Sequence, residues 1–280
     1  MAYNDRMDTY QKITEFYQSI YTDKRVIGKS YFGRDIYAVK IGDGRPIGIA
    51  QYAIHGREFI TANLAMAHYE RGVAKGSCWL VPMSNPDGCL LSEIGLSSVE
   101  KEKDKKYLLS IHQGDRDFSL WKANGRGVDL NVNFDAKWGE GIKNVRSAGL
   151  ENYIGEKPFS EKESMALKEF TEEIMPDYTL SYHTKGEEIY WRFLNSTRTC
   201  PRHFMLAQVI ARTTGYPIKD AFGSVGGYKD WCIDKYAIPS FTIEAGRDDF
   251  THPLREDALE DILIKNKDVL FELSKAASIL

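Results

Sequence analysis

The 280-residue sequence has no apolar run approaching the roughly 18 residues of a membrane-spanning helix, so no such span is expected. A surplus of basic charge is also missing. Lysine and arginine number 37 against 40 acidic residues, a net charge of -3, and without a polyanion-binding signature nucleic acid is not an expected partner. Residues 1–17 carry acidic and polar side chains where a secretory leader would be cationic and then apolar, so an unexported, cytoplasmic protein is expected. Cysteine is sparse. Cys78, Cys89, Cys200 and Cys232 lack Cys-x-x-Cys spacing, and apolar neighbours such as Trp79, Leu80 and Trp231 predict reduced, buried thiols, neither nucleophiles nor zinc ligands. Neither a repeat nor a linker divides the chain, which predicts one domain over residues 1–280, with 1–24 as an N-terminal helical segment packing on it.

The sequence does contain alternating strand and helix patterns. Asp8–Ile20 has helical apolar spacing through Tyr10, Ile13, Phe16, Tyr17 and Ile20. Val26–Ser30 and Asp35–Ile41 read as strands, followed by the turn at Gly42–Pro46, whose Gly-x-Gly lacks the strand-to-helix setting of a dinucleotide site. Ile47–Ile54 reads as a buried strand, Glu58–Lys75 as a helix, and Ser77–Met83 as a second buried strand ending in a turn at Ser84–Gly88. The charged run Glu100–Lys106 is a solvated helix face or loop. Ser160 and Glu163 are spaced as a capping box opening a helix to Ile174, and Glu256–Leu280 reads as one amphipathic helix. Such alternation predicts an α/β fold whose parallel or mixed sheet is covered on both faces.

Three strand-like runs end in chemistry. One stops at His55, with Glu58 three residues on; Tyr178–Tyr182 stops at His183; Ser240–Ile243 runs into Glu244. Ligands collect at that edge of open α/β sheets. Taken singly, either histidine reads as a hydrogen-bonded core residue. Together, His55, Glu58 and His183 match the three-ligand pattern of a catalytic zinc, one per chain, with a position left open. Two neutral imidazoles and a carboxylate leave such a centre near +1, enough to polarise a carbonyl and bring water to a pKa of about 7. Glu244 is then the free carboxylate that takes a proton from water and returns it to a leaving amine. Asp129 is the expected acceptor for the second ring N–H of His55, and either Lys122 or Arg126 supplies the cation for an oxyanion. His68, His112, His203 and His252 lack partner patterns and read as surface or helix residues.

In order along the chain, His55-Gly56-Arg57-Glu58, Asn85-Pro86-Asp87-Gly88, Gly127–Phe134, Ser181-Tyr182-His183 and Phe241–Glu244 resemble the motif series of zinc carboxypeptidases related to carboxypeptidase A. Each motif is weak alone and specific in series, and the resemblance runs from about residue 25 to the C-terminus. It implies a three-layer α/β/α sandwich around a mixed sheet of about eight strands, one catalytic zinc, and the ligand and base roles given above. Arg57 keeps a family-like place without an assigned role.

The departures bear on substrate. Val132 stands where typical carboxypeptidases carry the arginine that grips a terminal carboxylate, beside Asn131, a carried-over substrate contact, which argues against ordinary C-terminal trimming. Phe222 takes the place of a mobile tyrosine, and Lys122, with Arg126 close by, that of the oxyanion arginine. Segments around Asn152–Gly155, His183–Trp191 and Glu244–Arg247 look like the γ-D-glutamyl-meso-diaminopimelate peptidase branch, which acts on murein stem peptides. On that resemblance Lys229 or Arg247 holds a substrate carboxylate, with bidentate geometry favouring Arg247. The alternatives are a carboxypeptidase or an N-acyl amino acid amidohydrolase of the same fold, or an inactive murein-peptide-binding protein. Oligomeric state is not legible.

Overall fold

In the computed structural model, residues 7–193, 196–198 and 201–280 are described; Cys200 lies outside them. The apolar runs form strands as their alternation requires: β1 (Lys24–Lys29), β2 (Asp35–Gly42), β3 (Ile47–Tyr52), β4 (Ser77–Val81) and β5 (Tyr178–His183). Three more follow, β6 (Glu188–Tyr190), β7 (Ile218–Lys219) and β8 (Ser240–Glu244), giving one eight-stranded sheet in the order β1-β2-β4-β3-β5-β8-β6-β7. The centre is parallel: β3 pairs β4 and β5, and β5 pairs β8. β2 runs antiparallel to both β1 and β4, and β6 antiparallel to β8, so the sheet is mixed, as expected.

Alternate side chains along the strands serve two cores. Ala50, Leu80 and Tyr182 face one cluster with Leu64 of α2 (Thr61–Arg71), Ile210 of α6 (Pro201–Thr214), Ile262 of α8 (Glu256–Asn266) and Leu273 of α9 (Val269–Ala277). Ile49, Trp79 and Val81 face the other, with Phe170 of α5 (Lys162–Ile174) and Trp231 of α7 (Tyr228–Tyr236). The result is the three-layer α/β/α sandwich. The first helix, α1 (Thr9–Ser19), packs through Ile13 onto a smaller cluster with Tyr37, Met83 and Cys89. Cys78, Cys89 and Cys232 are buried free thiols. Among the described residues, no helix is long and apolar enough to cross a membrane.

Three local expectations are corrected. The turn at Ser84–Gly88 is the start of a helix, α3 (Pro86–Ile94): Pro86 occupies its first position, where no N–H is needed, and the Asn85 side chain caps Gly88 N at 3.0 Å. The charged run lies on α4 (Glu102–Ile111), in keeping with the solvated helix face expected of it. The capping box does not form, because Ser160 donates to Glu161 while the Glu163 carboxylate accepts from Tyr31 N and Asn124. The C-terminal segment breaks into α8 and α9, since the Asn266 carbonyl is bonded to the His68 ring at 2.9 Å. His68 and His203 lie on helices but are buried, not at the surface.

Candidate metal centre and active site

The register aligns three strand ends. Tyr52 pairs with Tyr182, and His183 with Glu244, so β3, β5 and β8 deliver their last residues at one level of the sheet edge. Beyond β3, Ala53 takes a left-handed φ of 51° and its N–H is held by Thr61 Oγ1, which turns the chain into the short turn Gly56–Glu58. Gly56 is required there: a Cβ would stand 2.4 Å from the Gly88 carbonyl oxygen and 2.5 Å from that of Trp121. Asn85 ties this loop down by donating to the Ile54 and Ala123 carbonyls. Asp87 is structural too, accepting from Ser30, Phe32 N and Arg34.

Within this frame His55 Nδ1 lies 2.9 Å from Glu58 Oε1, His183 Nδ1 3.0 Å from Glu58 Oε2, and the two Nδ1 atoms 3.1 Å apart. All three side chains are buried. Burial opposes ionisation of Glu58, but the two imidazoles outweigh it and hold the carboxyl well below the usual range. Burial likewise lowers His55, and the Glu58 charge overcomes it, with Asp129 adding to the net rise. Two ring nitrogens facing each other at this distance cannot both carry protons. With both nitrogens free of protons they could share one ion with the carboxylate, and a tetrahedral ion with bonds of about 2.0–2.2 Å would set its donors about 3.4 Å apart, close to the observed spacing. Among the described residues, this is the one group of His, Cys, Asp and Glu placed to hold a metal.

Asp129 sits behind His55, its Oδ1 3.3 Å from His55 Nε2, a close ionic contact without a well-aligned hydrogen bond. Its Oδ2 accepts Lys122 Nζ at 2.8 Å. Burial works against the Asp129 charge, yet Lys122 and His55 hold the carboxyl far below its ordinary value. Glu244 borders a cavity of about 250 Å³ together with Asn131, Asp220, Phe222, Lys229 and Asp230. Burial raises its carboxyl to about 7, with His183 opposing and Glu58 adding to the rise. Lys229 is buried, donating to the Arg192 carbonyl at 2.9 Å and paired with Asp230. Asn131 accepts from Tyr228 N, and Phe222 is 81% exposed at the rim.

Two predicted residues are not brought to the centre. Arg126 faces Glu156 and Glu161, each at 3.5 Å, over the Tyr31 ring, whereas Lys122 lies on Asp129 behind the candidate metal cluster. Arg247 turns outward to Asp249 at 3.0 Å and the Phe250 ring. Sequence reasoning left Arg57 without a role and missed Asn144 and Glu151, which border a second cavity together with Lys122 and Val132. Arg57's place between two ligands was the available signal; the other two come from a loop whose path no local pattern specifies.

The family profile described as zinc carboxypeptidase matches residues 8–266. The chain belongs to the zinc carboxypeptidase family. As a member, it is 34% identical over 248 residues to gamma-D-glutamyl-L-diamino acid endopeptidase 1 of Lysinibacillus sphaericus, an alignment covering 81% of this chain and 61% of that protein. It is 33% identical over 122 residues to murein peptide amidase A of Escherichia coli K12, covering 40% and 47% of the two chains. The chain thus aligns with under two thirds of the length of either relative. Its fold is shared with bovine thrombin-activatable fibrinolysis inhibitor (TM-score 0.72, 21% identity, covering 96% and 93% of the chains). It is also shared with the murein-tripeptide amidase of Escherichia coli O157 (TM-score 0.59, 22% identity, 94% of each chain). The family is zinc-dependent, and the His55, Glu58 and His183 donor set fits that ion.

Proposed function

We propose that this carboxypeptidase-family chain holds one zinc on His55, Glu58 and His183 and hydrolyses the γ-D-glutamyl-meso-diaminopimelate bond of murein stem peptides. The observation that carries this reading is the cavity beside Glu244, which Lys229, Asp220 and Asp230 line together. A pocket with both signs of charge suits a leaving group that carries ammonium and carboxylate together, as diaminopimelate does. Val132, apolar where a terminal-carboxylate arginine stands in typical family members, points away from general C-terminal trimming.

Bound at the triad, zinc supplies Lewis acidity for the scissile carbonyl and for water. Glu244 accepts a proton from water as the new C–O bond forms, then delivers it to the departing nitrogen as the C–N bond breaks, leaving a carboxylic acid and a free amine. Lys122 places an ammonium beside the centre to favour the oxyanion, and Asp129 fixes both Lys122 and the His55 ring. Lys229, anchored by Asp230 and a carbonyl, retains a proton to offer a substrate carboxylate. With Arg247 turned outward, Lys229 is the cation we assign to the leaving half.

The test incubates zinc-loaded protein with L-Ala-γ-D-Glu-meso-diaminopimelate and, separately, with a blocked dipeptide, alongside Glu244→Gln. Release of diaminopimelate from the first substrate alone, lost in the variant, is expected. Hydrolysis of the blocked dipeptide alone would make the protein an ordinary carboxypeptidase, and zinc binding without turnover of either would remove the proposal.

A further inference from the structure

Beside the Glu244 cavity lies a second one, of about 380 Å³, which shares Asn131, Phe222 and Ser224 with it. Its charge is one-sided: Arg57, Lys122 and Lys143 against Glu151. Two of the donors in its wall, Arg57 Nε and Asn144 Nδ2, are buried and find no acceptor among the described residues. A buried donor left unpaired is costly, so two together mark a place built for an acceptor that arrives with the substrate. The acid nearest Arg57 does not use up its charge, since Glu151 stands 3.4 Å away and is itself 40% exposed. Lys122, by contrast, is committed to Asp129.

The two cavities take opposite halves of a scissile bond. Glu244 must reach the departing nitrogen, so the amine half occupies its cavity. Lys122, the ammonium for the carbonyl oxygen, borders the second cavity, so the acyl half runs along that wall. In an ordinary peptide with a neutral side chain at this position, the acyl half presents no anion near the reacting carbon. A γ-linked glutamyl residue does, because its free α-carboxylate stands a few bonds from the scissile carbonyl. We infer that the second cavity reads the γ-linkage by binding this α-carboxylate, with Arg57 and Asn144 donating to it. The inference rests on the proposed function and adds a selection on the acyl side, opposite the diamino acid. An arginine fork and an amide N–H match the two oxygens of a carboxylate, whereas an uncharged carboxamide accepts through one oxygen and forfeits the charge.

The experiment compares L-Ala-γ-D-Glu-meso-diaminopimelate with the same tripeptide amidated at the glutamyl α-carboxyl. Assays use the wild type, Arg57→Gln, Arg57→Lys and Asn144→Asp, and the zinc content of each is measured. Wild type is expected to prefer the acid by about tenfold or more in kcat/KM, chiefly through KM. Arg57→Gln should bring that ratio close to one with zinc retained, and Arg57→Lys should restore part of it. Asn144→Asp, away from the metal ligands, should penalise the acid and spare the amide. Equal wild-type rates on the two substrates, or equal losses on both in zinc-replete Arg57→Gln, overturn the inference and leave the proposed bond standing. Wild-type hydrolysis of neither removes both.

Discussion

Asp129→Asn tests the link between folding and metal binding. The carboxylate is fully buried and accepts from Lys122 at 2.8 Å, from Asn131 N at 3.1 Å and from Asn152 N at 3.2 Å, with His55 Nε2 at 3.3 Å. Asparagine keeps the shape but turns an amine toward one of these donors and strips Lys122 of its counter-ion. Removing one member of a buried pair typically costs about 3–5 kcal/mol, and the lower end applies here because the Lys122 side chain keeps 16% exposure to the cavity. Loss of the carboxylate behind a ligating imidazole lowers metal affinity by roughly 10–100-fold. The pH dependence has a definite sign. The folded carboxyl is held below its unfolded value, so its contribution is full above about pH 4 and is lost as the pH falls below that. Urea unfolding of the zinc-free protein should therefore show a gap between wild type and variant at pH 7 that narrows at pH 3, while chelator competition reports the weaker zinc binding. A variant with the wild-type urea midpoint and zinc affinity would refute the role given to Asp129.

Glu244→Gln should retain zinc and lose about 10²–10⁴-fold in kcat, measured by diaminopimelate release. The pH profile of kcat/KM should have an acidic limb at or below about 7, because Glu244 must be ionised to accept a proton and a cation on the triad lowers it from that value; a rate still flat at pH 4.5 would exclude it as the base. Glu163, whose carboxyl burial raises from 4.5 to about 8 with Asp87 adding, keeps its proton in the folded state across a range where the unfolded chain has lost it. Stability should fall by roughly a few kcal/mol as pH rises from 4.5 to 8, and Glu163→Gln should flatten that slope in urea titrations. Gly56→Ala drives a Cβ against two carbonyl oxygens and should destabilise by about 1–3 kcal/mol with reduced zinc content, read by thermal unfolding and metal analysis.

The parts of the fold legible in the sequence are those whose side chains are sorted by the sheet. β3, β4, β5 and β8 are short buried runs because both their faces are covered, and His55, His183 and Glu244 could be placed at an edge from that pattern alone. β6 and β7 escaped, being three and two residues long, too short for alternation to register. α6 and α7 carry mixed sequence whose apolar positions make sense only against the sheet. The capping box failed for a tertiary reason: Glu163 satisfies Tyr31 N, a residue far along the chain, which a local spacing rule cannot weigh. Arg126 and Arg247 lie away from the centre for a different reason. Their backbone positions lie close in sequence to Lys122 and Glu244, but a long side chain goes to whichever partner its loop offers, and Glu161 and Asp249 took them away.

The charge pattern of the centre follows from the same placement. Three carboxylates stand within one buried neighbourhood, and burial by itself works against the charge of each. Glu58 lies between two imidazoles and Asp129 between an imidazole and an ammonium, so both stay ionised as fixed charges. Glu244, on the next strand, has His183 for partial relief and the Glu58 charge against it, which leaves its carboxyl near neutrality. Environments that push like groups apart in this way divide the work between them: two hold position, and one can take up and release a proton. Strand register decides which is which, because pairing His183 with Glu244 sets the free carboxylate beside the His55, Glu58 and His183 cluster without making it part of it.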